Sequence, residues 1–259
     1  MIMKNFFLSI ILLILLIPLT SGTWIVERQE KFTLFFDSSD MMERNLYLQF
    51  LSNGIKKVEK FTGSPYQRSF AVYIHHTRAS FNEELKQDWK LPDFSSECWM
   101  VASGVGDKLD LIAPSEWKNQ SCEHDLSDTA DTQNLIIHEL VHVYHGQLNR
   151  DSVFAGMDSL NWLVEGMATY ISGQCNKERM SDVKKELKNN KGPVAMNDLW
   201  SGKNKYGLSG SMLMYIDNHY GRKKLLSLMK LNSAEEVFST LKTNEKALIA
   251  AWKKHVTSL

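Results

Sequence analysis

His138-Glu139-Leu140-Val141-His142 lies inside an apolar run from Leu135 to Tyr144, and no other string constrains this chain as tightly. Positions i and i+4 of a helix lie one above the other on one face. A helix here therefore stacks two imidazoles where both reach a single metal ion. Glu139 follows the first of them, next to the coordination position that the pair leaves open. Two neutral nitrogen ligands, an open position and a carboxylate base are what a zinc hydrolase needs. A solvated helix face is the bland alternative, and it fits poorly. Leu135, Ile136, Ile137, Leu140, Val141 and Val143 flank the string, and burying two histidines and a glutamate without partners is expensive. A metal ion relieves that expense.

Residues 1–22 read as a secretory signal rather than as part of the fold. Lys4 gives a short positive start, Phe6 to Ile17 is apolar apart from Ser9, and Pro18 ends the run before the small residues Thr20-Ser21-Gly22. The run is too short for a comfortable membrane span; an uncleaved signal anchor is the alternative. The expected location is secreted, extracellular or periplasmic, with no membrane association after cleavage. The remainder is long enough for one large domain or two tightly joined lobes. Thirty Lys and Arg balance thirty Asp and Glu, so composition speaks neither for a nucleic-acid partner nor for an acidic disordered tail. Oligomeric state is not legible.

Three cysteines remain, Cys98, Cys122 and Cys175. In an exported chain a disulfide is expected, and Cys98–Cys122 is the preferred pair because it is nearest in sequence. Three buried thiols are the alternative. The cysteines lack C-x-x-C spacing and make poor zinc ligands. Asn119-Gln120-Ser121 is a glycosylation sequon.

Met41 to Phe61 reads as an amphipathic helix stopped by Gly63-Ser64-Pro65. Phe70 to His75 and Lys108 to Ala113 read as strands, and Ser103-Gly104-Val105-Gly106 as a turn. Thus 23–130 is expected to be a mixed α/β part, and 131–259 a helical part with the metal site, together one catalytic unit. Asp131 or Thr132 is expected to cap the metal helix. Asp158 or Ser159 should cap a second helix through Ile171, ended by Gly173. An exposed helix over 177–190 and further helices near 206–219, 222–230, 234–242 and 244–256 should follow.

Two histidines need a third protein ligand. Trp162-Leu163-Val164-Glu165-Gly166-Met167-Ala168-Thr169-Tyr170 offers Glu165, with 22 residues between it and His142. That length lets a second helix fold back on the first, and the small Gly166 and Ala168 should let the two approach closely. A solvent-facing glutamate is the alternative, set against strongly apolar neighbours.

H-E-L-V-H followed by W-L-V-E-G-M-A-T-Y resembles the gluzincin zinc metallopeptidases, especially those called peptidase MA-like. The resemblance covers roughly Val101 to Met229 and is carried by these two motifs. It implies a zinc ion held by His138, His142 and Glu165, with Glu139 as general base. It implies an α+β, zincin-like fold: a small mixed sheet packed on the metal helix, then a mainly helical lobe, with the cleft between. Tyr206-Gly-Leu-Ser-Gly-Ser-Met-Leu-Met-Tyr215 resembles the family stretch whose first Tyr donates to the oxyanion, which makes Tyr206 the candidate donor and His219 a weaker one. A Tyr packed on the core at a helix start is the alternative.

The departures are as informative. His145 and Leu148 stand where a metzincin carries Gly and His. Thr169 stands where many gluzincins carry an Asp that orients a ligand histidine. The G-x-M-E-N segment that reads a substrate amino terminus in related aminopeptidases is absent from the sequence, which favours an endopeptidase-like cleft. His145 is either a neighbour of the ligands or exposed. The expected activity is peptide-bond hydrolysis of a peptide or protein substrate by a zinc-bound water that Glu139 activates. The Leu109–Pro114 strand is the expected substrate-side edge strand, to which an extended peptide could add. Two other readings stand beside it: a non-catalytic zinc-containing extracellular binding module, and a cell-wall peptide amidohydrolase.

Overall fold

Alternating apolar residues in three short segments build the sheet against which the helices pack. In the computed structural model, which describes residues 24–189 and 192–258, β2 (Phe32–Asp37) and β3 (Phe70–His75) run parallel, with Phe32 opposite Phe70. Phe32, Leu34 and Phe36 are buried on one face of β2, and Phe70, Val72 and Ile74 on the same face of β3. The intervening Thr33, Phe35, Ala71 and Tyr73 are only half-buried, as a two-residue side-chain period requires. β5 (Lys108–Ile112) joins β3 in parallel on its other side. β1 (Trp24–Arg28) and β4 (Ala102–Val105) are the antiparallel edges, giving the order β1-β2-β3-β5-β4.

The protein is therefore α+β, with a small mixed five-stranded sheet and a predominance of helix. The expected signal over 1–22 lies outside the described residues. Among the described residues, no helix is long and apolar enough to cross a membrane. α1 (Arg44–Thr62) and α4 (Thr129–Leu148) pack on each other, and α4 also packs on β4 and β5. α2 (Arg78–Trp89) packs on β3 and β5, and α3 (Trp117–Gln120) is a single turn. After α4 the described regular structure is helical: α5 (Asn161–Ser172), α6 (Lys177–Lys188), α7 (Lys205–Tyr220), α8 (Arg222–Ser227), α9 (Ala234–Leu241) and α10 (Glu245–Ser258). One apolar core runs through both parts, from Leu34 and Ile74 through Leu140 and Val143 to Leu213 and Trp252.

Several expectations are corrected. Residues 103–105 are not a turn but part of β4, and the turn falls at Gly106-Asp107. Gly104 serves close approach: a Cβ there would collide with the Glu139 carbonyl of α4. The strand at 108–112 is consequently interior, and β4 is the sheet edge beside α4. α1 starts at Arg44 rather than Met41, because Ser38–Asp40 form a 3-10 turn in which the Asp37 carboxylate accepts from the Ser39 N–H. α4 is capped by Asp128, which accepts from the Asp131 N–H at 2.9 Å, not by Asp131 or Thr132. Asp158 and Ser159 lie in a 3-10 turn, and α5 begins at Asn161 without a side-chain cap. Gly166 faces α7, not α4: a Cβ there would meet the Ser209 carbonyl at 2.8 Å. α6 is not simply exposed, since Val183 and Leu187 are buried. β1, β2 and α2 lie in a stretch whose elements the sequence did not resolve individually.

Cys98 and Cys122 form a disulfide, and Cys175 is free. Burial pushes the Cys175 thiol up to about 11, which keeps it in the thiol form near neutral pH.

Candidate metal centre

His138 and His142 share the α4 face turned toward α5, from which Glu165 projects back at them. The Glu165 Oε2 lies 3.3 Å from His138 Nε2 and 3.7 Å from His142 Nε2. One ligand atom from each of the three residues falls within 4.8 Å of the other two, so the cluster could hold a metal ion. Both histidines are about 6 % exposed and the glutamate side chain 25 %.

The electrostatics agree with the geometry. Burial opposes the charge on Glu165, but the imidazoles of His142 and His138 overcome it and hold the carboxyl well below the usual range. Burial likewise opposes a charge on His142, and Glu165 followed by Glu139 raises its pKa nonetheless. A carboxylate trapped among imidazoles is compensated either by protons on the rings or by a cation between them. Only the cation uses all three lone pairs at once.

Gln174 supplies the orientation that Thr169 does not. The αL conformation of Gly173 (φ +92°) ends α5 and returns the chain toward α4. The Gln174 Oε1 then accepts from His138 Nδ1 at 2.8 Å. A carbonyl oxygen only accepts, so Nδ1 carries the proton on that side; Nε2 meets Glu165 in a long hydrogen bond of 3.3 Å, and it is the atom a metal ion would take as ligand. Thr169 is fully buried, and its hydroxyl has no partner. Gln174 follows a helix stop and belongs to neither motif, so no sequence signal pointed to it.

The cluster opens into a cleft of about 330 Å³, lined also by Glu139, Tyr206 and the β4 residues Ala102 to Val105. Trp89, Trp99, Trp200, Phe154 and Lys205, none of them marked out by a motif, form the outer wall. Trp99 is fixed there by the disulfide at its neighbour Cys98 and by Arg78. That guanidinium donates to the carbonyls of Glu97 (2.9 Å), Cys98 (3.0 Å) and Met100 (2.8 Å). No protein-family model matches the chain, and no curated protein matches it either.

Tyr206 opens α7, with its ring centre 6.1 Å from that of His138. Burial and then the charges of Glu165 and Glu139 push its hydroxyl far up, so it stays a proton donor. His219, the weaker candidate, is outside the cleft. It stacks on Tyr215 near the other end of α7, roughly 20 Å from Tyr206 at 1.5 Å per residue. His145 is not exposed. It is wholly buried, close to the Met229 backbone but with no well-formed hydrogen bond at either ring nitrogen among the described residues, and burial presses its pKa down to about 3. It is not one of the three residues that converge, although the His142 imidazole is near enough to depress it further.

Proposed function

We propose that this protein is a zinc-dependent peptidase of the gluzincin type, with a zincin-like fold, that hydrolyses peptide bonds within peptide or protein substrates. The observation that carries the reading is the convergence of His138, His142 and Glu165 in a cleft that Glu139 and the edge strand β4 also line. A structural metal site has no need of a free carboxylate or an open cleft. In the site, zinc would act as a Lewis acid on the scissile carbonyl and acidify a water.

The chain's own residues would do the rest. His138, held by Gln174, and His142 present their Nε2 atoms as neutral ligands, and Glu165 adds a carboxylate oxygen. The Glu139 carboxylate takes a proton from the attacking water and returns it to the leaving nitrogen. The Tyr206 hydroxyl, kept protonated by its surroundings, donates to the oxyanion. The backbone of β4, rather than of the 108–112 strand, pairs with an extended substrate and presents the scissile bond to Glu139. Gly104 keeps that edge pressed against α4. Export led by residues 1–22 fits the Cys98–Cys122 disulfide, which persists in oxidising compartments.

Residues 23–259 of wild type and of Glu139→Gln, each assayed for zinc and for cleavage of an unstructured protein mixture, test this reading. The expected result is stoichiometric zinc in both, with turnover in wild type and a loss of at least about a hundredfold in the variant. Equal turnover would remove Glu139 from its role. Zinc without turnover in either protein would favour the binding module.

A further inference from the structure

We propose that Lys205 reads a carboxylate on the substrate, so that the cleft selects peptides carrying an acidic side chain or a free C-terminus near the scissile bond. The proposal rests on the peptidase reading of the same cleft. Of the residues lining it, only Glu139, Glu165 and Lys205 are charged. The two acids belong to the metal centre, which leaves Lys205 as the one cationic group in the lining. Its Nζ lies 4.4 Å from the centre of the Trp200 ring, 5.3 Å from that of Tyr206 and 5.7 Å from that of Trp99. The half-buried side chain therefore lies along an aromatic wall.

Several other cations packed into the fold are matched by anions or carbonyls; Arg179, which stacks on the Tyr206 ring at 5.4 Å with one guanidinium nitrogen unpartnered among the described residues, is not, but it does not line the cleft. Lys108 pairs with Glu84 and Asp88, Arg222 with Asp217, and Arg78 with backbone carbonyls. Among the described residues, no ion pair involves Lys205. Ring faces attract an ammonium, but weakly beside a carboxylate in the same partly desolvated place. The start of α7 reinforces the positive field: the Asn204 amide is turned to Glu186 at 2.7 Å, and no side chain caps the helix.

The position fits a substrate subsite. The ring distances put the ammonium no more than about 11 Å from the His138 ring centre. That is at most about three residues of extended peptide at 3.3 Å each. A chain paired with β4 thus brings a carboxylate to Lys205 within three positions of the scissile bond, while Trp99 and Trp200 flank it with apolar surface.

Equilibrium binding tests this on the zinc-loaded Glu139→Gln protein, where turnover does not interfere. The probes are labelled octapeptide pools that differ only in Glu against Gln in the interior and in free acid against amide at the C-terminus. A carboxylate-bearing pool should bind about tenfold or more tightly than the uncharged pool, as one charge-assisted contact of this kind gives. Which of the two charged pools gains identifies the source of the carboxylate. Lys205→Met should bring the ratio to about one, and Lys205→Glu should reverse it in favour of Lys-bearing peptides. An unchanged ratio in Lys205→Met overturns the proposal, as does an equal loss for every pool, which would make Lys205 a prop for Trp99 and Trp200. Absence of binding by all pools overturns it too. A carboxylate preference in a protein whose wild type cleaves none of the pools would leave Lys205 standing and sink the peptidase reading.

Discussion

Two buried groupings of histidine and carboxylate stand on different elements, and they are built to opposite ends. Beneath α2, His75 is wholly buried and bonded at both nitrogens, to Asp110 at 2.9 Å and to Ser80 at 3.0 Å. Lys108 lies 3.5 Å from the same Asp110 carboxylate and is itself shared with Glu84 and Asp88. Every ring atom that can bond does so, and the group is closed. Between α4 and α5, both histidines aim their Nε2 atoms at one carboxylate, His138 in a long hydrogen bond of 3.3 Å and His142 at 3.7 Å, and His142 Nδ1 has no partner among the described residues. That group is open and faces a cleft. Burial and residue type alone therefore do not mark a site. Lone pairs that converge without being consumed do.

The sharpest way to break the contrast is metal content. Glu165→Ala should take the protein from one bound metal ion to almost none, measured by elemental analysis after dialysis, whereas His75→Ala should leave the stoichiometry unchanged. Metal retained in Glu165→Ala would refute the ligand set.

Stability should divide the other way. Asp110→Ala strands a buried imidazole and removes one of the three carboxylates around Lys108, and should lower unfolding free energy by about 3 kcal/mol in urea. Its metal content should stay intact; a loss below about 1 kcal/mol would mean that the closed group is dispensable.

His145 belongs to neither group and gives an acid-sensitive control. Its pKa is depressed from the usual 6.5 to about 3 by burial, so the unfolded chain takes up the proton first. The stability it protects is present above about pH 6.5 and is lost as pH falls toward 3. Between pH 7 and 4.5, metal-free wild type should lose about 2–3 kcal/mol more than metal-free His145→Phe. Parallel pH profiles for the two would show that His145 does not stay neutral.

The smallest effect concerns orientation. Gln174→Leu removes the acceptor that fixes the His138 tautomer and should weaken metal binding about 10–100-fold, read by chelator competition, without abolishing it. An unchanged affinity would leave the His138 orientation to packing alone.

How much of this was legible depended on whether the determining contact is local. The metal helix was legible because i and i+4 are neighbours by helical geometry alone, and the end of α5 because Gly173 adopts a conformation few other residues tolerate. Phe70–His75 was legible as a strand to its last residue. The turn expected at 103–106 failed because glycine answers two demands, a bend or a close approach, and only the helix lying against Gly104 shows which one applies. The edge strand was misplaced for the same reason: edge or interior is a property of pairing, not of a segment.

Spacing along the chain was enough for the α+β mixture and for the pairing of H-E-x-x-H with a downstream Glu as a ligand candidate; for the cysteines it offered only a preference, which the fold turned into the Cys98–Cys122 bond. Tertiary structure alone decided that Glu165 reaches both imidazoles, that Gln174 rather than residue 169 orients His138, that β4 is the edge beside α4, and that Lys205 lies in the cleft without an ion-pair partner. Each of those depends on residues far apart in sequence. Their distances are set by how the helices pack on the sheet, and no periodicity in the chain encodes that packing.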